Sequence, residues 1–496
     1  MKTRRHFLKC LSVLPLAVSS CATWARDTSS RWVNDIHSKL NRTRVAQIHR
    51  PSSREELRRI IREASSTAQQ ISICGGRHAM GGQQFGTDAQ LIDISRLSRI
   101  VDLDRERGIL EVESGIQWPE LIEQLLELQK DSPQAWTIAQ KQTGADRLSV
   151  GGALAANIHS RGLSMQPIIS NVASFEIITS SGETKQCSRS QNTKLFKLAI
   201  GGYGLFGVIT SIKLRLVRRQ KLQRRVALSS IDTLINSFDQ AIAGGALYGD
   251  FQFSIDAKSE QFLQKGILSI YHPVDTKTPI PAKRKQLDAD KWNQLLLLAH
   301  TDKSKAFQLY SKFYLETDGQ FYWSDEHQMN SYSDDYHLQI DQAMNSQHEG
   351  SEMITEIYVP RSRLAEFMAL AATDFRAHDV DVIYGTIRLI EKDHESYLAW
   401  AKQNYACIIF NLHVDHTQAG IKKSSSDFRR LIDLAIRLNG SYYLTYHKWA
   451  SKEQLIACYP KFESFMEMKR LYDPKEIFQS DWYRHNKKLF QVTRTY

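Results

Sequence analysis

The stretch Ile71–Gly86 reads ISICGGRHAMGGQQFG. Three β-favouring residues run into glycines, and an arginine and a histidine sit among them. A glycine-rich turn after a strand lets backbone approach another group closely. Close approach does not require an imidazole, so His78 needs a chemical account of its own. A second glycine cluster, QTGADRLSVGGALAANIHSRG, spans Gln142–Gly162. In it Ser149 is placed to cap a helix beginning at Gly151-Gly152, and small residues there are expected to leave N–H groups open to an anion. A third cluster, AIGGYGLFGVIT, spans Ala199–Thr210. None follows a strand as G-x-G-x-x-G with an acidic residue about 20 positions on, so the Rossmann fingerprint is not met.

Histidine also recurs in HVDH, His413–His416, and in SDEHQMNSYSDDYH, Ser324–His337. Strand alternation sets His413 and Asp415 on one face and His416 on the other, which is poor chelation. The second run reads as a polar surface loop. No metal site is expected. Four cysteines beyond Cys21 (Cys74, Cys187, Cys407 and Cys458) form no C-x-x-C pair, which argues against structural zinc and a dense disulfide framework.

Elements must position these loops. Ser52–Ser66 has helical spacing and a Ser-x-x-Glu start. Short runs rich in Ile, Leu and Val between Gln90 and Gly115 read as strands. Trp118–Lys130 reads as a helix with proline in its first turn. SFEIITSSGETKQCS reads as a hairpin turning at Ser181-Gly182, and LFGVITSIKLRLV as a long strand. This mixture predicts an α+β domain over roughly 180 residues. The chain has 496 residues, 42% hydrophobic and 24% charged, which accommodates two domains with sizeable cores. The formal net charge is +11, with signs mixed along the chain. The one dense basic run, RRQKLQRR at Arg218–Arg225, lacks interleaved aromatics. It reads as a solvated connector rather than a nucleic-acid surface.

The N-terminus, MKTRRHFLKCLSVLPLAVSSCATWA, has a basic start, a short apolar stretch and then small residues, the plan of a secretory leader over residues 1–25. TRRHFLK resembles the twin-arginine export signal, with Arg4 and Arg5 as the pair. VSSC before Cys21 resembles a lipoprotein cleavage box; plain cleavage near Ala22 or Ala25 is the alternative. The expected location is the periplasm, free or membrane-anchored through Cys21.

Taken together, GGRHAMGG, SVGGALAANIHSRG and GGYGLFGVIT resemble the FAD-binding loops of the vanillyl-alcohol-oxidase-type (PCMH-type) flavoproteins. The resemblance implies a two-subdomain FAD-binding domain at 40–217, an inserted α+β substrate or cap domain at 218–462, and a C-terminal return to the flavin domain at 463–496. It implies FAD contacts at Gly75, Gly76, Arg77, His78, Ala79 and Gly82 in the first loop. It implies others at Thr143, Gly144, Ser149, Gly151, Gly152, Asn157 and His159 in the second, and at Gly207, Val208 and Ile209 in the third. In this family a histidine at the place of His78 is often bonded covalently to FAD. The second linking cysteine of some relatives falls at Ala145, which implies a single bond.

EIYVPR, GTIRLIEKD and YHKWA resemble the sugar-lactone and alditol oxidases of that family. The resemblance implies substrate contacts at Arg388, His447 and Lys448. His447 is then the base, with Arg388 and Lys448 stabilising developing negative charge. The acid usually two residues before the arginine is replaced here by Thr386, which loosens the substrate assignment. The implied activity is FAD-dependent oxidation of a CH–OH group of a small sugar-like alcohol, with oxygen, a quinone or a cytochrome as electron acceptor. Other chemistry on the same fold, or a flavin-free binding protein, are the alternatives.

Overall fold

The computed structural model describes residues 31–329 and 336–491. The leader, with Arg4, Arg5 and Cys21, lies outside the described residues, as does the stretch 330–335. Strands and helices are mixed throughout, as the α+β reading expects.

Three sheets do the positioning. The first has three parallel strands in the order Gln47–His49, Gln90–Asp93, Ile71–Cys74. The helix Arg54–Ser66 buries Leu57, Ile60, Ile61 and Ala64 in the same apolar cluster as Ile71 and Ile92. Its capping is split between two serines. Ser53 Oγ accepts from the Glu56 N–H, while the Glu56 carboxylate accepts from the Ser52 N–H. Ile477 and Phe478 complete this cluster, and backbone bonds from Ile71 N to Ile477 O and from Gln479 N to Ile71 O tie them to its strand.

The second sheet is antiparallel, in the order Thr184–Ser188, Val172–Ile178, Val208–Arg215, Ile109–Glu113, Ile100–Asp104. The hairpin turns at Gly182, whose φ of +76° suits glycine. The third sheet has eight antiparallel strands. At its centre Tyr248–Phe253, Val382–Ile390, Tyr405–Asp415 and Gly350–Pro360 lie side by side in that order.

The basic run at Arg218–Arg225 is not a solvated connector. Lys221–Ser230 is a strand of the third sheet, and Arg224 is buried against Ser269, to which it donates a hydrogen bond. Arg219 pairs with buried Asp325 at 2.7 Å. The four cysteines are buried free thiols. Among the described residues no helix is long and apolar enough to cross a membrane.

Candidate active site

A cavity of about 790 Å³ runs from the glycine loops to the inner face of the eight-stranded sheet. At one end it is lined by Gly75, Gly76, Arg77, His78 and Ala79 from the turn after Ile71–Cys74. Thr143, Gly144, Ser149, Gly151 and Gly152 line it from the second cluster, and Gly207, Val208 and Ile209 from the third. The loops stack tightly. A Cβ on Gly75 would lie 2.1 Å from Ser149 Oγ, and one on Gly207 would lie 2.5 Å from the Ile178 carbonyl at a φ of +143°.

The helix Val150–Ala156 departs from the anion-site expectation. Its first N–H groups are already used: Val150 donates to Ile116 O, Gly151 to Ser114 O and Gly152 to Ser149 Oγ. Gly151 serves packing instead, since a Cβ there would meet Ser114 at 2.8 Å.

His78 Nδ1 is 2.7 Å from His37 Nε2 at the cavity wall, with His37 buried and His78 half-buried. Burial, then the neighbouring imidazole, holds the His78 pKa well below its usual value. Burial above all takes His37 down to about 3. Both are therefore neutral at pH 7. A single proton lies between the two nitrogens. When His78 supplies it from Nδ1, its Nε2 carries a lone pair, the nucleophilic tautomer. His78 Nε2 has no well-aligned hydrogen bond, although the Arg147 backbone lies beside the ring and works against the effect of burial.

The far end is built by strand alternation. Ile354 and Glu356, Ile409 and Asn411, and Tyr384, Thr386 and Arg388 come from three neighbouring strands and share one face. Glu356 and Thr386 are both register partners of Ile409 from opposite sides. A carboxylate thus stands in the same row as Thr386, two strands away. Glu356 Oε1 is 3.1 Å from His159 Nε2, and the other ring nitrogen of His159 faces the Ser160 carbonyl at 3.1 Å. The other Glu356 oxygen, Oε2, accepts from the Tyr358 hydroxyl at 3.0 Å. Tyr446 also lines the cavity and accepts from Gln142 Nε2 at 2.6 Å. Burial raises its pKa well above the usual value, so it is a hydroxyl and not a base.

Unpartnered buried atoms mark both ends: His78 Nε2, Thr143 Oγ1 and Gln84 Oε1 among the loops, Arg388 Nε, Arg161 Nε and Thr386 Oγ1 at the sheet. Each such atom costs on the order of 1–3 kcal/mol when it stays unpaired. Six in one cavity fit a large polar ligand spanning it.

The sequence profile of the family described as FAD binding domain matches residues 45–188, which contain the first two loops and the strand that precedes them. Residues 45–188 are an FAD-binding domain. L-gulonolactone oxidase of Bos taurus is 25% identical over 190 residues, 38% of this chain and 41% of that protein. L-gulono-1,4-lactone dehydrogenase of Mycobacterium tuberculosis is 25% identical over 210 residues, 42% of this chain and 46% of that protein. Cytokinin dehydrogenase 5 of Arabidopsis thaliana is 30% identical over 218 residues, 42% of this chain and 38% of that protein. The chain thus spans less than half the length of the curated relatives it matches.

The FAD-binding domain has the donor set for its cofactor. The backbone of Gly75–Ala79 and the free polar atoms of Thr143, Gln84 and His78 line its end of the cavity. Three residues assigned to the cofactor by resemblance do not reach the cavity. Gly82 turns at φ +78° against Asn41 and the C-terminal helix Asp481–Gln491. Asn157 caps its helix in the left-handed conformation and bonds Asp393. His159 stands behind Glu356.

At the other end, Arg388 lines the cavity, but His447 and Lys448 do not. The chain is irregular through YHKWA, and it is Tyr446 that lines the cavity while His447 is buried away from it. His447 is packed among Phe428, Tyr442 and Trp449, and its Nδ1 accepts from the Trp449 N–H. Lys448 lies beside His485 of the last helix. Sequence reading missed His37, Glu356 as an acid, Tyr446 and Arg224. EIYVPR and YHKWA contained two of them, with no signal for which residue points inward.

Proposed function

We propose that this protein is an FAD-dependent oxidoreductase that oxidises a CH–OH group of a polyhydroxylated, sugar-like alcohol such as an alditol or aldonolactone. The carrying observation is that Glu356, Thr386 and Arg388 share one sheet face of the cavity that also holds the FAD-binding loops. Bound FAD supplies the two-electron acceptor for hydride. The protein's part is orientation and proton transfer. Arg388, with its Nε unpartnered, binds the substrate hydroxyl and stabilises negative charge as it develops on oxygen. The Glu356–His159 pair takes the hydroxyl proton, and Tyr446 donates a hydrogen bond beside it.

His78 carries the flavin covalently in this reading. Bond formation at His78 would be a two-electron oxidation, for which the enzyme's own electron acceptor (oxygen, a quinone or a cytochrome) would serve as oxidant. The protein works outside the cytoplasm, exported by the twin-arginine route and either periplasmic or tethered through Cys21. Two relatives named for a gulonolactone substrate support the lactone class. Relatives named as cytokinin dehydrogenases bring a second class, so cytokinins form the other arm of the screen.

The test is anaerobic bleaching of bound flavin by a panel of alditols, aldonolactones and cytokinins. With the substrate so found, Glu356→Gln and Arg388→Ala should each keep their flavin and slow its reduction by about 10²–10⁴-fold, the usual worth of a positioned proton-transfer group. Wild-type reduction rates in both variants would sink the assignment.

A further inference from the structure

Strand alternation separates the histidines of HVDH, but the fold brings His413 beside Glu352 and His300 from elsewhere in the chain. Glu352 and His413 are direct register partners on the neighbouring strands Gly350–Pro360 and Tyr405–Asp415. His300, at the end of the helix Ala289–Thr301, reaches the same carboxylate. His300 Nε2 is 3.0 Å and His413 Nδ1 3.8 Å from Glu352 Oε1, and the three ligand atoms lie within 4.8 Å of one another. A zinc-class ion with bonds of about 2.0–2.1 Å sets tetrahedral ligand atoms about 3.4 Å apart, so these spacings bracket what such an ion needs.

Two further observations point to a ligand. His300 Nε2 and His413 Nδ1 are buried atoms that converge on one carboxylate oxygen as ion-pair partners without a well-aligned hydrogen bond. By contrast, in the other cluster of this kind, His159–Glu356–Cys407, the imidazole and carboxylate are hydrogen-bonded to each other. The surroundings also match an outer coordination shell. Glu352 Oε2 takes hydrogen bonds from His337 Nδ1, at 2.8 Å, and from the Tyr336 hydroxyl, which leaves Oε1 for an ion. The remote nitrogen of His413 lies 3.4 Å from Asp415.

We propose that His300, Glu352 and His413 bind one divalent transition-metal ion of the zinc class, tying the helix Ala289–Thr301 to the large sheet at the cavity wall. Two imidazoles and one carboxylate suit zinc, copper or iron and disfavour magnesium or calcium. They leave one position of a tetrahedral ion open. Glu352 and His337 are themselves part of the cavity lining.

The experiment treats holoprotein with EDTA, dialyses it, titrates in zinc, and measures metal content after gel filtration together with the thermal midpoint. The expected result is close to one zinc per chain and a raised midpoint, because an ion that binds only the folded state stabilises it. Glu352→Gln and His413→Ala should lose both effects while keeping their flavin. X-ray absorption of the zinc-loaded wild type should show nitrogen and oxygen neighbours at about 2.0–2.1 Å with two imidazoles. Zinc far below one per chain overturns the proposal. So does equal zinc content in wild type and both variants. If the variants do not fold, the wild-type absorption spectrum decides alone, and a shell containing sulfur or lacking imidazole overturns it.

Discussion

His78 and His37 set the chemistry of the flavin end, and each depends on the other. A lone imidazole at the loop would carry its proton on either nitrogen. With His37 Nε2 at 2.7 Å, that choice becomes coupled to the partner's. His37 accepting from Nδ1 leaves Nε2 of His78 able to attack carbon. His37 is held in turn by backbone: its N–H donates to Asp35 Oδ1, a carboxylate that also takes the Ser38 N–H. The expected outcome is that acid-denatured wild type keeps flavin fluorescence on the polypeptide in a gel, and that His78→Ala loses it. His37→Gln should retain FAD by binding but attach it covalently more slowly and less completely. Full release of flavin from wild type would refute the linkage. Full attachment in His37→Gln would remove His37 from it.

Strands and helices decide which of two adjacent residues becomes functional, and that is where sequence reading reached its limit. The glycine loops were legible because only glycine tolerates the contacts they make, as at Gly75 against Ser149. Arg388 was legible only through the resemblance of GTIRLIEKD, and the pairing of its strand puts it on the cavity face. YHKWA was legible as a place but not as an orientation. The chain there is irregular, so no period tells Tyr446 from His447. The acid of the site was invisible for another reason: Glu356 joins the Thr386 row through pairing with an intervening strand, not through local spacing. The same holds for Glu352 and His413.

The misassigned His447 carries its own prediction. Burial first, and then Arg429, pulls its pKa to about 3 from a usual 6.5. Between those values the unfolded chain binds a proton that the folded protein refuses. Its contribution to stability is therefore complete above about pH 6.5 and declines as the pH falls toward 3. Each unit of such a shift is worth about 1.36 kcal/mol. His447→Asn keeps an acceptor for the Trp449 N–H and removes the titrating ring. Relative to wild type, its thermal midpoint should improve steadily as the pH drops from 7 to 5. A difference that stays constant with pH would contradict this.

On the scale of the whole molecule, the two ends of the described chain meet at the flavin loops. Ile477 and Phe478 complete the apolar cluster under the Ile71–Cys74 strand. Trp482 N donates to Gly82 O, and Asp481 accepts from the Thr87 N–H and hydroxyl. The first glycine loop is thus held by residues some 400 positions later in the chain. This topology favours taking up the flavin after both regions have folded together. FAD is made in the cytoplasm, so an exported form must fold there before crossing, which is the demand that twin-arginine transport meets. We therefore expect Arg4→Lys with Arg5→Lys to retain the protein in the cytoplasm, folded and with flavin bound. Cell fractionation combined with flavin fluorescence reads both properties at once. Undiminished flavin-loaded protein outside the cytoplasm in the double variant would rule the route out. Flavin-free protein outside the cytoplasm would break the link between folding and export.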